Sequence, residues 1–523
     1  MTKWKTGKDA LFLCEDGGCI DIQVPEEAVE VTLELPVYRL GGCTRSYPNV
    51  KRLMIDPDVA ELDMTNRLFP NVEQVVSLNN AHFLTNPCLV YQNDAHQTTL
   101  LNAFYKKKED VISLDDIKKI SGLAFEGCNA CLLVHNLKDL KNLATLPAKI
   151  ILDDPGRYGL DTIRDSLSKY GLKEIASNVQ NRYQAIDGIL YTADKTTVII
   201  CPMEKTGMVT IPEGVRRVRT KAFCESKIQH VVLPDSLQSI EEQAFRACRA
   251  LESIDFGHGL EMIGGNGHQD VFSGCTALKE ITVPSQVKQI GPRAFAFCNA
   301  LQRIHFSNGL KTIKQSAFMQ ASSLSDVTLP ASLNKIGADA FFHTGSNKTL
   351  NITVQSDQIP NGFVQSVGSN YITNFHYTLV NHKDNTFVLP DAMSDSYRGY
   401  YNERLSRGDY EKEIVSLFAA ARTMYGKINA AIAACQYTKI HGALVDNKEA
   451  KDYLRAHEET VVRYFTRERE EKDFIQFLSW YSATPCKHQL AILNLLQEKH
   501  WVNATAYFLE KTRNSQPDVL SLS

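Results

Sequence analysis

The sequence predicts a β-rich solenoid of short coils, followed by an α-helical C-terminal domain. The first observation is a phenylalanine that recurs at intervals of 22, 27, 23, 23 and 23 residues. A fixed period in the twenties is typical of units that stack only on their neighbours. The second observation is an apolar pattern of strand type after each phenylalanine, and the third is a change to helical spacing near residue 396. The recurring residues are Phe223, Phe245, Phe272, Phe295, Phe318 and Phe341.

Each repeat combines a corner with two apolar segments. After the Ala-Phe or Val-Phe pair, the pattern L-x-x-I-x-F, as in Leu301, Ile304 and Phe306, suits a strand with one buried face. Pro, Gly or Asn then turns the chain, and a shorter apolar segment follows, as in Leu310 and Ile313. We therefore expect coils with two apolar edges, stacked about 4.7–4.9 Å apart, with the phenylalanine in the interior.

The first regular repeat carries a recognisable set of residues: Ile211, Pro212, Gly214, Val215, Val218, Ala222, Phe223, Cys224, Ile228, Val231, Leu233 and Pro234. This pattern resembles the BspA-like (Treponema pallidum-type) leucine-rich repeats of bacteria over residues 187–354. The segments 187–191 and 198–202 look like the hairpin that often precedes such repeats. The resemblance implies a horseshoe or slab-shaped binding scaffold, and it implies no reaction.

Length, charge and cysteine content narrow the class of protein. A chain of 523 residues is expected to form two or three folding units. A net charge of −3 argues against a dedicated nucleic-acid-binding protein. The sequence shows neither an apolar run of membrane-spanning length nor the apolar core of a secretory signal in residues 1–18. Thirteen cysteines in such a chain favour free thiols in a reducing compartment, so we expect a cytoplasmic location.

The first 186 residues show weaker forms of the repeat. We interpret residues 1–150 as an N-terminal cap and diverged repeats, because the segment 48–55 recurs at 70–77 after a step of 22. Residues 151–186 interrupt this pattern. Leu160, Ile163, Leu167 and Tyr170 are spaced 3, 4 and 3 residues apart, which predicts one face of a short helix that stops at Gly171. We therefore expect a helical insert before the regular repeats of 187–354.

The apolar pattern changes twice after residue 354. Residues 355–395 lose the repeat and are predicted to form a cap and linker. Residues 396–515 have helical apolar spacing with short connections, which predicts helical hairpins. The segment 491–511 resembles an ankyrin-type hairpin but lacks the T-P-L-H signature. The polar end, residues 516–523, is predicted to be disordered.

The sequence contains no motif that predicts a catalytic, metal or cofactor site. Cys128-x-x-Cys131 is a single pair without the further ligands that a zinc site needs, so we interpret both as buried structural thiols. His457-Glu458 lacks the second histidine of a zincin, because Val461 occupies that position. Asp153-Asp154-Pro155-Gly156 is a turn sequence, although it is also compatible with a cation site. The Gly-rich stretch at 264–267 lacks the lysine of a phosphate-binding loop.

Two sets of variable residues are candidates for binding. The residues between the buried strand positions should form ladders of mixed chemistry that suit a protein surface; they are His230, Ser253, Asp255, Glu280, Thr282, Arg303, His305, Asp326 and Thr328. The second apolar segment is flanked by a more basic edge, which would suit an acidic partner or nucleic acid; it contains Arg216, Arg217, Arg219, Lys288, Arg293, Lys311, Lys314 and Lys335.

The sequence favours a non-enzymatic, cytoplasmic bacterial scaffold that binds a protein partner through the repeats, with the helical domain as a second docking module. The alternative is a sensor or regulatory subunit of a larger complex, for example in a bacterial defence system. A nucleic-acid-binding accessory protein and an exported adhesin are further alternatives. No cofactor and no membrane association are expected, and the partner's identity and the oligomeric state are left open.

Overall fold

The computed structural model describes most of residues 3–390 and parts of the C-terminal region. Up to residue 390 it omits residues 17, 38–44, 65, 87–88, 95–96, 105–110, 114–116, 118, 155, 157, 266, 343, 345–349, 368–376 and 384. Beyond that point it describes residues 398, 402, 403, 405, 427, 452, 453, 455–468, 471, 474, 475 and 489–513. The chain divides into two compact units, residues 1–208 with 214–228 and residues 209–213 with 229–523.

The first unit is built mainly from short strands. They are β1 (Lys3–Thr6), β2 (Leu11–Glu15), β3 (Gly18–Gln23), β4 (Glu30–Leu33), β5 (Arg52–Ile55), β6 (Gln74–Ser77), β7 (Phe83–Asn86), β8 (Leu89–Asp94), β9 (Gln97–Ala103), β10 (Val111–Ser113), β11 (Lys119–Ile120), β12 (Cys131–Val134), β13 (Lys149–Leu152), β14 (Glu174–Ser177), β15 (Tyr183–Ile186), β16 (Ile189–Thr192) and β17 (Thr197–Ile200). Two further strands, β18 (Thr206–Thr210) and β20 (Lys227–Val232), contain residues of both units, and β19 (Arg217–Val218) lies between them in the chain.

Parallel pairing joins strands of successive coils in this unit. Arg52 on β5 pairs with Gln74 on β6, which is the step of 22 seen in the sequence. The strands β12, β13 and β14 also pair in parallel, so successive coils stack side by side. The expected hairpin is present as well, because β16 and β17 pair antiparallel. Coils of this kind bury one face of each strand, and Leu53 and Ile55 are fully buried.

The predicted helix forms as α1 (Leu160–Leu167), with Ile163 and Leu167 buried. Its extent differs from the prediction at the C-terminal end, because Tyr170 lies outside the helix and is 58% exposed. The helix stops at Ser168, before Gly171, whose φ of +95° suits glycine. The strands β13 and β14 on either side pair with each other, so α1 occupies part of one coil.

Most of the regular repeats lie in the second unit. Their strands are β21 (Ser239–Ile240), β22 (Ser253–Asp255), β23 (Met262–Ile263), β24 (Glu280–Val283), β25 (Gln289–Ile290), β26 (Arg303–Phe306), β27 (Thr312–Ile313), β28 (Asp326–Leu329), β29 (Lys335–Ile336), β30 (Leu350–Val354), β31 (Tyr377–His382) and β32 (Asn385–Pro390). Most coils contribute one strand of three or four residues and one of two residues. The two-residue strands β23, β25, β27 and β29 form one parallel ladder.

The Ala-Phe corner fills the interior of each coil as predicted. Phe272, Phe295 and Phe318 are fully buried, with ring centroids 5.4 and 5.5 Å apart and nearly parallel planes. The adjoining pairs are Phe245–Phe272 at 4.9 Å and Phe318–Phe341 at 5.4 Å. Offset stacking at such separations is favourable, so the phenylalanines form a continuous column through the coils.

The backbone at this corner joins the coils through a second set of hydrogen bonds. The N–H groups of Arg293, Phe295 and Phe297 donate to carbonyl oxygens of the next coil at 3.0, 2.8 and 2.8 Å. Arg293 and Phe297 have φ values of 50° and 61°, a left-handed conformation that is uncommon outside glycine. The equivalent residues Ser316 and Gln320 share it, with φ of 55° and 58°. The corner therefore contains two left-handed residues, and every second N–H group along it donates to the same neighbouring coil.

The end of the repeats and the C-terminal region contain the remaining elements. The helix α2 (Phe363–Val367) accepts hydrogen bonds from the last corner, since Asp339 N–H donates to Gln365 O and Phe341 N–H to Ser366 O, both at 2.8 Å. Three further helices are α3 (Glu458–Glu468), α4 (Gln489–Glu498) and α5 (Val502–Arg513). Residues 406–426 of the predicted helical domain and the predicted disordered tail, residues 516–523, lie outside the described residues.

Candidate protein-binding face

All nine residues of the predicted ladders lie on strands of the second unit, and each is exposed or half-buried. We call this set the strand face: His230, Ser253, Asp255, Glu280, Thr282, Arg303, His305, Asp326 and Thr328. The strand register aligns His230 with Ser253 and Glu280 with Arg303. Thr282 is likewise aligned with His305. Buried residues such as Ile281 and Ile304 alternate with them, because successive side chains of a strand point to opposite sides.

Side chains of the strand face bind each other across neighbouring coils. Arg303 donates to Glu280 Oε2 through Nε at 2.9 Å and Nη2 at 2.7 Å, and His305 Nε2 lies 3.0 Å from Glu280 Oε1. His230 Nδ1 lies 2.8 Å from Ser253 Oγ. These contacts hold long side chains in place before any partner arrives, which lowers the entropy lost on binding.

The pairing also sets the charge of the face. Hydrogen bonds from the Arg303 guanidinium, and secondarily from His305, lower the pKa of the Glu280 carboxyl below its ordinary value. Glu280 is therefore ionised at neutral pH and balances the positive charge of Arg303. Asp255 and Asp326 add negative charge, and the rest of the set is neutral apart from the histidines. A mixed, weakly acidic surface of this kind is not suited to a phosphate backbone.

A groove opens on this face between β26 and β28. β24 pairs with β26 and β28 pairs with β30, but no strand pairing joins β26 to β28 among these described residues. The groove has a volume of about 820 Å³, in the range of about 300–1,000 Å³ typical of binding pockets. It is lined by Gln302, Arg303, Ile304, His305, Phe306, Ser322, Ser323, Ser325, Asp326, Thr328 and Gln355.

Four residues of the strand face thus meet in one groove, and sequence reasoning missed several of their neighbours. Ser322, Ser323 and Ser325 line the groove from the segment just before β28, and Gln355 follows β30. They were missed because only alternate positions within strands were considered. The run Ser322-Ser323-Leu324-Ser325 was a usable signal, since three small hydroxyl side chains surround one buried leucine.

The predicted basic edge is divided between the two units. Arg216, Arg217 and Arg219 belong to the first unit, and Lys288, Arg293, Lys311, Lys314 and Lys335 belong to the second. Arg219 binds Asp161 at 3.0 Å, and Arg293 binds Asp270 at 2.9 and 2.8 Å. Lys288 and Lys311 occupy neighbouring coils, where Lys311 N–H donates to Lys288 O at 2.9 Å. Part of the predicted edge is therefore neutralised by carboxylates.

The remaining sequence candidates have structural contacts. Cys128 and Cys131 are buried, and burial raises the pKa of the Cys131 thiol. Asp154 accepts hydrogen bonds from Leu137 N–H at 2.8 Å and Gly156 N–H at 2.7 Å, so it organises the turn and the start of a short 3-10 helix. Among the described residues no group of three or more His, Cys, Asp or Glu is arranged to hold a metal ion. The described part of the chain also contains no helix that is long and apolar enough to span a membrane.

Comparison with known proteins identifies the repeats. The family described as "BspA type Leucine rich repeat region" matches residues 203–270 and 268–367, with six copies. A search of curated proteins found no match.

Similar solved structures include a leucine-rich cell surface protein from Faecalibacterium prausnitzii, with 20% identity, coverage of 68% of this chain and 95% of that one, and a TM-score of 0.31. The T. pallidum leucine-rich repeat protein has 26% identity, coverage of 33% and 69%, and a TM-score of 0.21. The pneumococcal vaccine antigen PcpA has 15% identity, coverage of 68% and 94%, and a TM-score of 0.28. On the family match and the coils described above, residues 203–367 belong to the BspA-type leucine-rich repeats.

Proposed function

We propose that this chain is a non-enzymatic scaffold that binds a protein partner through the strand face. Its family suggests a protein-interaction or surface-binding role. The observation that carries the proposal is the groove between β26 and β28, where four strand-face residues converge on a polar cavity of about 820 Å³. Mixed donors, acceptors and both signs of charge suit the varied chemistry of a protein surface.

Binding would occur by shape and charge complementarity over several coils. The buried phenylalanine column holds the coils in fixed register, so the exposed side chains keep their spacing. Preorganised contacts such as Arg303–Glu280 limit the ordering that a partner would otherwise impose. We propose further that the C-terminal helices supply a second docking surface, with Glu471 holding the start of α5 through Ala504 N–H at 2.8 Å.

We also propose a cytoplasmic location, because the chain has thirteen cysteines and eight of the nine described ones are buried as core residues. Reduced cysteines of this number are typical of a reducing compartment. Detection of the protein on the surface of intact cells by protease shaving would contradict this location.

The experiment compares two matched double variants with the wild-type chain as bait in a native lysate. The face variant carries Arg303→Ala and His305→Ala, and the edge variant carries Lys288→Ala and Lys311→Ala. All four residues are exposed, so we expect both variants to keep the wild-type melting temperature, because surface changes typically alter stability by less than about 0.5 kcal/mol.

The face variant should lose a specific protein that the wild type and the edge variant retain. If only the edge variant fails to retain this protein, the strand face is not the binding surface. Retention of nucleic acid that disappears steeply with salt would instead support the nucleic-acid-binding alternative.

A further inference from the structure

The N-terminal hairpin formed by β2 and β3 places two cysteines directly opposite each other. Cys14 on β2 pairs with Cys19 on β3, beyond the pairs Phe12–Ile22 and Leu13–Asp21, and a β-bulge lies between Leu13 and Cys14. Directly opposed residues of antiparallel strands lie on the same face, with Cα atoms about 4.5–5.5 Å apart. Disulfides bridge Cα separations of about 4.4–6.8 Å. The register of the hairpin therefore makes Cys14 and Cys19 the candidate pair for a bridge.

Both side chains point into the same small core. Cys14 is 5% exposed and Cys19 is 0% exposed, and both belong to the cluster that includes Phe12 and Ile22. Each thiol also donates to a carbonyl of its own strand, Cys14 to Phe12 O at 3.6 Å and Cys19 to Asp21 O at 3.1 Å. Formation of a bridge would replace these two weak thiol–carbonyl contacts.

The hairpin also lies beside an exposed terminal strand. In the three-stranded sheet, β1 pairs with β2, and all four residues of β1 are exposed. Terminal strands with little buried surface open locally at low free energy, which gives an oxidant transient access to buried thiols.

A second set of close cysteines provides a contrast. Cys248, Cys275 and Cys298 occupy the same position in successive coils of the second unit and are fully buried. Cys275 and Cys298 donate to backbone carbonyls of Phe245 and Phe272, each at 3.3 Å. Burial raises the pKa of Cys275 far above its ordinary value and that of Cys298 to about 12. Because the thiolate is the reactive form, these cysteines should react slowly with oxidants.

We propose that Cys14 and Cys19 form a reversible disulfide that locks the N-terminal hairpin. In the reaction, the thiolate of one cysteine attacks a small disulfide such as oxidised glutathione and releases one glutathione thiolate. The second cysteine thiolate then attacks the mixed disulfide and releases the other. The protein loses two electrons and two protons, and two molecules of reduced glutathione are formed. An excess of reduced thiol reverses both steps.

The test uses the full-length chain incubated with oxidised glutathione, denatured in iodoacetamide and digested with trypsin. Residues 9–39 form one tryptic peptide, and Cys14 and Cys19 are its two cysteines. We expect this peptide to lose the mass of two hydrogen atoms and to carry no alkyl group, whereas peptides with Cys275 and Cys298 are alkylated. Treatment with dithiothreitol should restore double alkylation of the first peptide.

Two variants provide the controls. Cys19→Ser should leave Cys14 alkylated or glutathionylated, and Cys275→Ser should leave the Cys14–Cys19 bridge unchanged. The proposal is overturned if both hairpin cysteines remain alkylated after oxidation, if each carries glutathione, or if either pairs with a cysteine elsewhere in the chain.

Discussion

At the scale of single residues, one buried phenylalanine per coil contacts its counterparts in both neighbouring coils. Phe295 lies 5.4 Å from Phe272 and 5.5 Å from Phe318, between ring centroids. Truncation of such a side chain removes apolar burial and leaves a cavity in a rigid column. The corner also constrains the backbone, because residues near the phenylalanines, such as Gln320 with φ of 58°, are left-handed.

Phe295→Ala should therefore lower the free energy of unfolding by about 3–5 kcal/mol, because the cavity lies in the middle of the column. Phe297→Ala is the matched control, since Phe297 is two residues away and 38% exposed. Urea denaturation of both variants checks the difference. A loss below about 1 kcal/mol for Phe295→Ala would show that the column does not carry the stability of the coils.

At Gln320 the expected effects of two substitutions have opposite signs. Gln320→Gly should leave the free energy of unfolding unchanged or raise it by up to about 1 kcal/mol. Glycine removes left-handed strain of about 1–2 kcal/mol from the folded state, but its greater chain entropy stabilises the unfolded state by about 0.5–1 kcal/mol. Gln320→Ile should destabilise, because a β-branched residue strongly disfavours positive φ. Thermal melts of the two variants measure this, and equal melting temperatures would contradict the left-handed conformation.

At the scale of elements, neighbouring coils lie very close together at particular glycines and are joined by charged side-chain pairs. A Cβ atom at Gly309 would lie 1.8 Å from Ser285 O of the preceding coil, a contact that backbone atoms cannot relieve without moving. On the strand face, β24 and β26 are joined by Glu280 with Arg303 and His305. The turn at Gly309 thus leaves no room for a side chain between the coils, and the Glu280 pair makes their stability depend on pH.

Gly309→Ala should destabilise the second unit by about 1–3 kcal/mol, as expected for overpacking. Gly122→Ala is a suitable control, because its Cβ would meet its nearest neighbour, Asn142 O, at an ordinary 3.6 Å. Both variants can be compared by chemical denaturation. If Gly309→Ala is as stable as the control, the coils do not approach each other as closely at this turn as described.

The Glu280 pair predicts a small pH-dependent contribution to stability. Since folding lowers the pKa of Glu280, its contribution is fully present above the unfolded glutamate pKa of about 4.3 and is lost as pH falls through the folded value. The stability difference between the wild type and Glu280→Gln should therefore shrink toward zero in acid. Denaturation series from pH 7 to pH 3 measure this difference. A difference that grows in acid would contradict the assigned pairing.

At the scale of the whole molecule, the repeat pattern was predictable because it is imposed by stacking. The positions that Phe295 and Ile304 occupy must be buried in every coil. The spacing of apolar residues at these positions is therefore visible in a single sequence. The end of α1 at Leu167 was not predictable from periodicity, because the apolar spacing continues to Tyr170 although the helix does not.

The groove was only partly predictable. Arg303, His305, Asp326 and Thr328 were found because they alternate with buried positions. The groove itself depends on the absence of strand pairing between β26 and β28. The repeats have nearly the same sequence, so the sequence does not indicate which neighbouring strands fail to pair. Likewise, Asp270 neutralises Arg293 across a step of 23 residues, which a count of basic residues cannot show.

The most direct test of the strand face as the binding surface is photo-crosslinking from two positions. A photoreactive amino acid replaces Thr328, which lines the groove, or Lys311, which lies on the two-residue strand side of the coil, and each bait is irradiated in native lysate. The account predicts a specific protein adduct from position 328 that is absent from position 311. An adduct from position 311 alone would contradict it.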